Sequence, residues 1–563
     1  MKKRISTFEV SWLALGLILF GVVVVPLLLV LNSAFYSETD LGLSTERSFQ
    51  AVINVYATRE YLTYLANALL LASAVTVAAT VVGVTIAILV ARTDIPYKSA
   101  IDLFVTMPIF LSPLTGLIAW IFLGSSGSGY INLAIQWVTG SNLTPINIWS
   151  FAGVVWIMFL FFCPFVYLFT LGSLRSMDSS LEEASRMSGA SVFTTLRRIT
   201  LPMSLPAIFA SSLLVFILAA EMYTIPGLIG SNANFTTLPW QVYKDTTMFP
   251  TKQAHAAAAG TMLLWIALIG VWVQQRITRV SERYITVAGK GFRGNPLKLG
   301  SAKWPALVLL ALYILSADIL PFGTLLIASF MKYSSVDFFA DNLWTTKHYY
   351  DIWNLPKLRL SLINTAVLAV ITGVSCVVFG LLTSYAEIRR PSPATKMLAF
   401  IGVLPVAVPG LVYGLGVMWT YVQTPLYGTI WILFLAYVAK FLPYGILVSR
   451  SGILQIHGDL EQSARMSGAT QMQAMRHITM PLIKITLIAI LFFVMIMSIK
   501  EVSASILLAT AKNQVLSVLT WAFIDSGNYQ LASAIGVVQT VMMLALVYLT
   551  RVIFRVKLEN AIG

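Results

Sequence analysis

Apolar residues in this chain come in runs of about 20 or more, the length needed to cross a hydrocarbon layer, and polar stretches between them are short. The first run, about Val10 to Leu31, follows the basic start Met1 to Arg4. It is too long for a cleaved leader and no small-residue cleavage site follows, so it reads as an uncleaved first membrane helix. Further spans are expected at about 64–91, 100–123, 149–172, 203–229 and 255–275. The second half repeats the pattern at about 304–330, 361–386, 396–421, 429–449, 482–509 and 532–554. The expected fold is an all-α polytopic membrane protein of about 12 transmembrane helices, six per half.

One polar, basic stretch interrupts this pattern twice. Leu181 to Pro202 reads LEEASRMSGASVFTTLRRITLP, and Leu460 to Pro481 reads LEQSARMSGATQMQAMRHITMP, aligned without a gap. The halves match elsewhere at a larger shift: Asn67 with Asn364, and Pro108 of MPIFLSP with Pro405 of LPVAVP. The first half therefore holds extra residues between those landmarks and the elbow-like stretch. They are assigned mainly to the loop Gly124 to Ser150, since the loop after Tyr421 is brief. Both halves begin on the same side, so the repeats are parallel, about an axis along the membrane normal. The expected division is a first half over 1–275, a basic connection over 276–303 and a second half over 304–563.

Charge sets the orientation. The chain is 58% apolar and 11% charged, with net charge +14. Lys and Arg gather in alternate short loops, which explains the charge by topology and leaves nucleic acid without a role. With the N-terminus in the cytoplasm, the inner segments hold Arg92 and Lys98, then Arg175, Arg186, Arg197 and Arg198, then Arg276 to Lys303, where basic residues far outnumber acidic ones. Arg389, Arg390 and Lys396, then Arg450, Arg465 and Arg476, then Arg551, Arg555 and Lys557 follow. Every loop agrees except Lys332 to Arg359, and both copies of the repeated stretch face the cytoplasm. Cys163 and Cys376 lie far apart within apolar runs, and the histidines at 255, 348, 457 and 477 have no ligand spacing, so neither a disulfide framework nor a metal site is expected.

In Leu181 to Pro202, Glu182, Glu183 and Ala184 suit a first helical turn, with Asp178, Ser179 and Ser180 before them as capping groups. Gly189 permits a sharp bend. A second short helix, about Ser191 to Arg198, then leads to Pro202 at the first turn of a membrane helix. Two short helices in an L result, and Met187, Val192 and Phe193 offer apolar groups to a groove on a partner. A solvated elbow between two membrane helices is the plainer reading, and the near-identical second copy counts against it.

These residues resemble the EAA signature of permease subunits of binding-protein-dependent ABC importers. Glu183, Ala184, Ser185, Gly189, Ile199, Leu201 and Pro202 match it, with Ser for the second Ala. The second copy matches less fully at Gln462, Ser463, Ala464, Gly468, Ile478, Met480 and Pro481, with Glu461 one place before the aligned Glu. The resemblance implies a type I ABC importer permease (MetI-like) fold in a bacterial inner membrane. It implies that each elbow is a coupling helix docked on an ATPase, through Glu182, Glu183, Ala184, Gly189, Ala190 and Pro202 in the first and Glu461, Gln462, Ala464, Gly468, Ala469 and Pro481 in the second. The difference between Glu183 and Gln462 then points to unequal contacts. The chain has no G-x-x-x-x-G-K-[ST] loop, and Gly289-Lys290-Gly291 lacks its flanking residues. It is therefore expected to be a transport subunit, not an enzyme, without a cofactor of its own. ATP would bind two copies of a separate ATPase, and a periplasmic binding protein would deliver the cargo.

An ionisable group deep in a span is a functional hypothesis. Glu221 in LAAEMYTIPGLIG and Glu501 in MSIKEVSASILLA occupy nearly corresponding positions in the fifth spans. The resemblance places fifth spans along the translocation path, so Glu221 and Glu501 are expected to face it, with Lys500 as a partner. The alternative is a buried Lys–Glu pair that only locks helices or serves a helix break. Asp318 in LSADILP is expected to make a local contact near the outer surface. A fused twelve-span permease with GKGFRGNP and KEVSASILL is similar to iron(III) importer permeases, with thiamine and 2-aminoethylphosphonate permeases as alternatives. Ferric ion prefers oxygen ligands, which suits a path lined with carboxylates. An ion-coupled secondary transporter is the rival class, and the duplicated EAA elbow discriminates against it.

Overall fold

The computed structural model describes residues 14–39, 42–177, 180–281 and 296–554. The basic start, the capping pair Asp178 and Ser179, the GKG sequence, Arg555 and Lys557 lie outside the described residues.

In the first half, α1 (Ala14–Ser33) leads to a small hairpin, β1 (Tyr36–Thr39) and β2 (Gly42–Arg47), antiparallel with Glu38 opposite Leu43. This pair is an addition to the all-α expectation. Then come α2 (Arg59–Arg92), α3 (Lys98–Phe110), α4 (Pro113–Gly124), α5 (Tyr130–Thr139) and α6 (Phe151–Ser176). The elbow helix α7 (Ser180–Met187) precedes α8 (Val192–Glu221), α9 (Leu238–Thr247) and α10 (Gln253–Ser281). The second half holds α11 (Gly300–Ser329), α12 (Pro356–Arg389), α13 (Pro393–Ala407), α14 (Gly410–Tyr421) and α15 (Ile430–Leu454). The second elbow helix is α16 (Asp459–Met466), followed by α17 (Gln471–Leu482), α18 (Lys484–Ile499), α19 (Leu516–Asp525) and α20 (Tyr529–Phe554).

Nine of the described helices are each long and apolar enough to cross a membrane, and three bent pairs bring the number to twelve if each pair is one span. Two of these pairs are the third spans. α3 meets α4 at 102° and α13 meets α14 at 116°. Proline causes both breaks: Pro108 and Pro113 flank one, Pro405 and Pro409 the other, each removing a helical N–H donor. Within each half the second and fourth spans pack backbone to backbone. A Cβ on Gly380 would stand 2.5 Å from the Gly445 carbonyl carbon, and one on Gly83 would stand 3.0 Å from the Cys163 oxygen. Small residues let membrane helices approach in this way.

The first span of each half crosses to the other. Leu15, Leu19, Val22 and Val23 of α1 belong to the core of the second half. There Tyr413 donates to the Val22 carbonyl, and a Cβ on Gly416 would stand 2.5 Å from the Pro26 oxygen. Reciprocally, Leu310, Tyr313 and Leu325 of α11 lie in the first-half core, and the Tyr313 hydroxyl donates to Leu160 O at 3.3 Å.

Several sequence expectations change in detail. The extra residues of the first half form α5, whose counterpart after Tyr421 is a turn. The landmark asparagines are equivalent: Asn67 donates to Thr236 O at 2.8 Å and Asn364 to Gln514 O at 3.0 Å, each just before a short helix (α9, α19) that hydropathy did not separate from loop. The fifth spans end early, α8 at Glu221 and α18 at Ile499, because the charged and Gly/Ser-containing segments beyond leave the helix.

Candidate functional site

Both elbows are built by the same local chemistry. α7 begins with Glu182 and Glu183 in its first turn, and α16 with Asp459 and Glu461, where carboxylates complement the helix N-terminus. Each helix ends on a glycine in left-handed backbone, Gly189 at φ 84° and Gly468 at φ 91°. That conformation lets the following alanine close the turn: Ala190 N–H donates to Ser185 O, and Ala469 N–H to Ala464 O, both at 3.1 Å. Ser191 and Thr470 then cap the next segment, accepting from Thr194 N at 3.2 Å and Gln473 N at 3.3 Å.

That next segment is not a separate short helix. Ser191 to Arg198 runs through a wider π-type turn, Leu196–Thr200, straight into the fifth span, and Pro202 sits inside the continuous helix. Met475–Thr479 is the matching turn, but beyond Pro481 the second elbow bends by 78° at Ile483. The elbows therefore differ in shape at this kink.

Glu182 and Glu461, rather than Glu183 and Gln462, are the buried acids. Arg92, the last residue of α2, reaches Glu182 with Nε–Oε1 at 3.1 Å, and Thr200 donates to the same oxygen at 2.8 Å. Arg389, the last residue of α12, reaches Glu461 at 3.1 Å, and Thr479 donates at 2.7 Å. Each arginine also donates to a carbonyl just beyond the fourth span, Arg92 to Met177 O at 3.4 Å and Arg389 to Ile456 O at 3.0 Å. Tyr385 adds a further contact to Glu461, at 2.8 Å. Glu183 and Gln462 are less enclosed than these acids: Glu183 is half-buried and Gln462 exposed. The tips are bare: Met187 is 90% and Met466 89% exposed, beside exposed Phe193. Each elbow is thus fastened at its acid and apolar at its exposed tip.

The connection between halves is fastened beside the first elbow. Leu297 N–H donates to Arg92 O at 2.8 Å, Asp94 N–H to Leu297 O at 3.1 Å, and Leu299 N–H to the Asp94 carboxylate at 2.9 Å. Accepting the Leu299 N–H holds the Asp94 carboxyl below its usual range.

A second cluster lies where the fifth spans end. Tyr223 donates to Val502 O at 3.4 Å, and these residues stand at matching positions of the two repeats, so the axis relating the halves passes between them. Lys500 does not pair with the carboxylates. Its Nζ donates at 2.6 Å to Ile109 O, a carbonyl at the break between α3 and α4. The cation on Glu501 is Lys440 of α15, at 2.8 Å, a residue that hydropathy passed over inside the fourth span. The other Glu501 oxygen accepts Ala504 N–H at 2.9 Å, and the Nζ fits because Gly410 has no Cβ, which would stand 2.4 Å away. Glu501 is thus a fastener at a helix break. Glu221 is half-buried and feels Lys440 and Glu501 electrostatically, but no cation among the described residues lies within bonding distance of it. On the side away from the elbows, Tyr223, Tyr243, Trp240 and Trp521 stack with ring centres 5.0 to 5.9 Å apart and close the axis between halves.

Asp318 does not make the expected local contact among the described residues, and it is buried. It lies in the middle portion of α11 in a π-type turn, is 3% exposed, and neither carboxylate oxygen has a hydrogen-bond partner among the described residues. Among the described residues no group of three or more His, Cys, Asp or Glu is arranged to hold a metal ion.

The family described as "Binding-protein-dependent transport system inner membrane component" matches residues 79–281 and 376–557, twice within the chain and on either side of the swapped span α11. A ferric transport system permease protein of Actinobacillus pleuropneumoniae is 27% identical over 545 residues, covering 95% of this chain and 76% of the relative. A putative ferric transport system permease protein of Haemophilus influenzae is 28% identical over 515 residues, covering 90% of this chain and 78% of the relative. A putative 2-aminoethylphosphonate transport system permease protein of Salmonella typhi is 27% identical over 254 residues, covering 44% of this chain and 84% of the relative.

Proposed function

The chain belongs to the family of inner membrane components of binding-protein-dependent transport systems, and on that premise we propose that its two elbows couple it to ATP hydrolysis and that its cargo is ferric iron. It is a multi-pass inner-membrane permease of an ABC importer and a transport subunit rather than an enzyme. We read 1–275 and 304–563 as its two permease halves and 276–303 as the connection, with the N-terminus in the cytoplasm.

The observation that carries the coupling reading is the duplicated elbow. Two helices of the same length end on left-handed glycines, are fastened through a buried acid, and expose a methionine tip. One copy of an ATPase subunit docks on each, against Glu183, Ala184, Gly189 and Ala190 in the first and Gln462, Ala464, Gly468 and Ala469 in the second. Glu182, Glu461, Pro202 and Pro481 hold these surfaces in place. A loaded periplasmic binding protein docks on the opposite face. Closure of the ATPase pair moves the elbows, the halves rock, and the aromatic closure at Tyr223 and Trp521 parts to admit cargo past Glu221.

Ferric iron is favoured because relatives named for it align along nearly the whole chain, whereas the 2-aminoethylphosphonate relative aligns with 44% of it. A hard cation also suits the carboxylate of Glu221, which no cation among the described residues neutralises directly. The glycines test the coupling. A Cβ on Gly189 or Gly468 meets nothing within 4 Å, so only backbone strain and the partner surface are at stake. Gly189→Val with Gly468→Val should abolish ATP-dependent uptake. The corresponding Asn pair, which tolerates left-handed backbone, should retain much of it. Equal uptake from the Val pair and the wild type would contradict the reading.

A further inference from the structure

The two arginine–glutamate contacts do more than fasten helices. Their geometry repeats element for element. Arginine at the end of the second span meets glutamate in the elbow, threonine at the entry to the fifth span and a carbonyl just beyond the fourth. The side chains of Arg92 and Glu182 are 12% and 8% exposed, and those of Arg389 and Glu461 17% and 7%. Pulling such a pair apart leaves two shielded charges without partners, so the elbow and the end of the second span must move together. Beside this pair, the elbow is tied to the membrane helices by the threonine hydrogen bond, in the second half also by Tyr385, and by the covalent chain into the fourth and fifth spans.

The first arginine carries a second connection. Its carbonyl accepts Leu297 N–H, and Leu297 is buried shortly before α11. α11 packs into the first-half core although it belongs to the second half. Among the described residues Arg389 has no such strand beside it; its neighbours Ser392 and Thr395 cap α13 instead.

We propose that Arg92 and Arg389 are positioning residues that pass the displacement of each elbow into the second span of its half, and that Arg92 alone also passes it through Leu297 into the first span of the other half. The proposal rests on the elbows being the ATPase-docking surfaces. It makes the two levers unequal for a reason unrelated to Glu183 and Gln462: the first elbow moves elements of both halves, while among the described residues the second is tied only to its own.

The test uses the whole importer, with its ATPase and binding protein, in proteoliposomes, and reads uptake per ATP hydrolysed. Arg92→Met with Glu182→Met replaces the first pair by apolar groups of similar size, a change that buried ion pairs commonly tolerate. Arg389→Met with Glu461→Met does the same for the second. Both variants should assemble with the ATPase and hydrolyse ATP, with uptake per ATP reduced about fivefold or more, the lower end of typical coupling between sites, and the first should lose more. Leu297→Pro removes the N–H that reaches Arg92 while leaving the ion pair; it should lower uptake per ATP without loss of bound ATPase, and it decides the matter should the Met pairs fail to assemble. Wild-type uptake per ATP in assembled Met variants, or in Leu297→Pro where those do not assemble, overturns the proposal. Failure of the wild-type chain to bind an ATPase would instead refute the docking reading beneath it.

Discussion

Glu221 and Glu501 show how two carboxylates at nearly matching positions take different work. Glu501 holds Lys440 at 2.8 Å and caps the break after α18 with its other oxygen. Glu501→Gln leaves the half-buried Lys440 ammonium without its carboxylate and is expected to destabilise the permease by about 1–3 kcal/mol. Glu221 has no cation within bonding distance among the described residues, so Glu221→Gln is expected to unfold like the wild type while uptake falls. Thermal unfolding of the two purified variants checks this, and equal destabilisation would contradict the division. The sequence made the carboxylates legible because charge within an apolar run stands out. It did not reveal Lys440, because its counterpart in the first half is Phe161 and no repeat draws attention to it. The buried Glu182 and Glu461 were legible in principle: they recur in register with the elbows, while Arg92 and Arg389 recur in the different register of Asn67 and Asn364. What hid the pairing is that contacts between segments in two registers do not show in a single alignment of halves.

Among the elements, the crossing of the second and fourth spans bears the closest packing. Gly380 and Gly445 face each other so that a Cβ on the first would stand 2.5 Å from the second's backbone. Overpacking usually costs about 1–3 kcal/mol, and here backbone rather than side chain blocks the way, so Gly380→Leu is expected at or above that range. Gly323→Leu, where a Cβ meets nothing within 4 Å, is expected to behave as wild type. The fraction of each variant eluting as folded monodisperse complex measures the difference, and similar losses would contradict it. Long spans and the elbow glycines were readable, since each rests on local chemistry; the third spans were expected unbroken over about 100–123 and 396–421, and their bends beside Pro108 and Pro405 are a correction. The merger of Ser191 to Arg198 with the fifth span was not readable. A proline at the start of a helix and a proline carried within one leave the same local signal, and packing decides between them.

For the molecule as a whole, the reciprocal exchange of first spans makes each half depend on the other. Removing residues 1–33 should therefore loosen the second half, where Leu19 and Val22 fill the core and Tyr413 loses its acceptor. Limited proteolysis at the turn after Tyr421 should speed up in that variant, and unchanged cleavage there would show that α1 is dispensable to the second-half core. Nothing in the hydropathy pattern announces this exchange, because a span packed on its own half and one packed on the other have the same composition. The twelve-span, two-repeat plan was nevertheless plain from run lengths and the duplicated elbow. The central claim, an ATP-driven permease for ferric iron, is tested most directly by uptake of radioactive ferric iron, presented on its binding protein, into proteoliposomes holding this chain and its ATPase. The account predicts uptake only with ATP on the elbow side and binding protein on the other, and none when the ATPase is left out. Uptake that continues without the ATPase under an imposed ion gradient would contradict it.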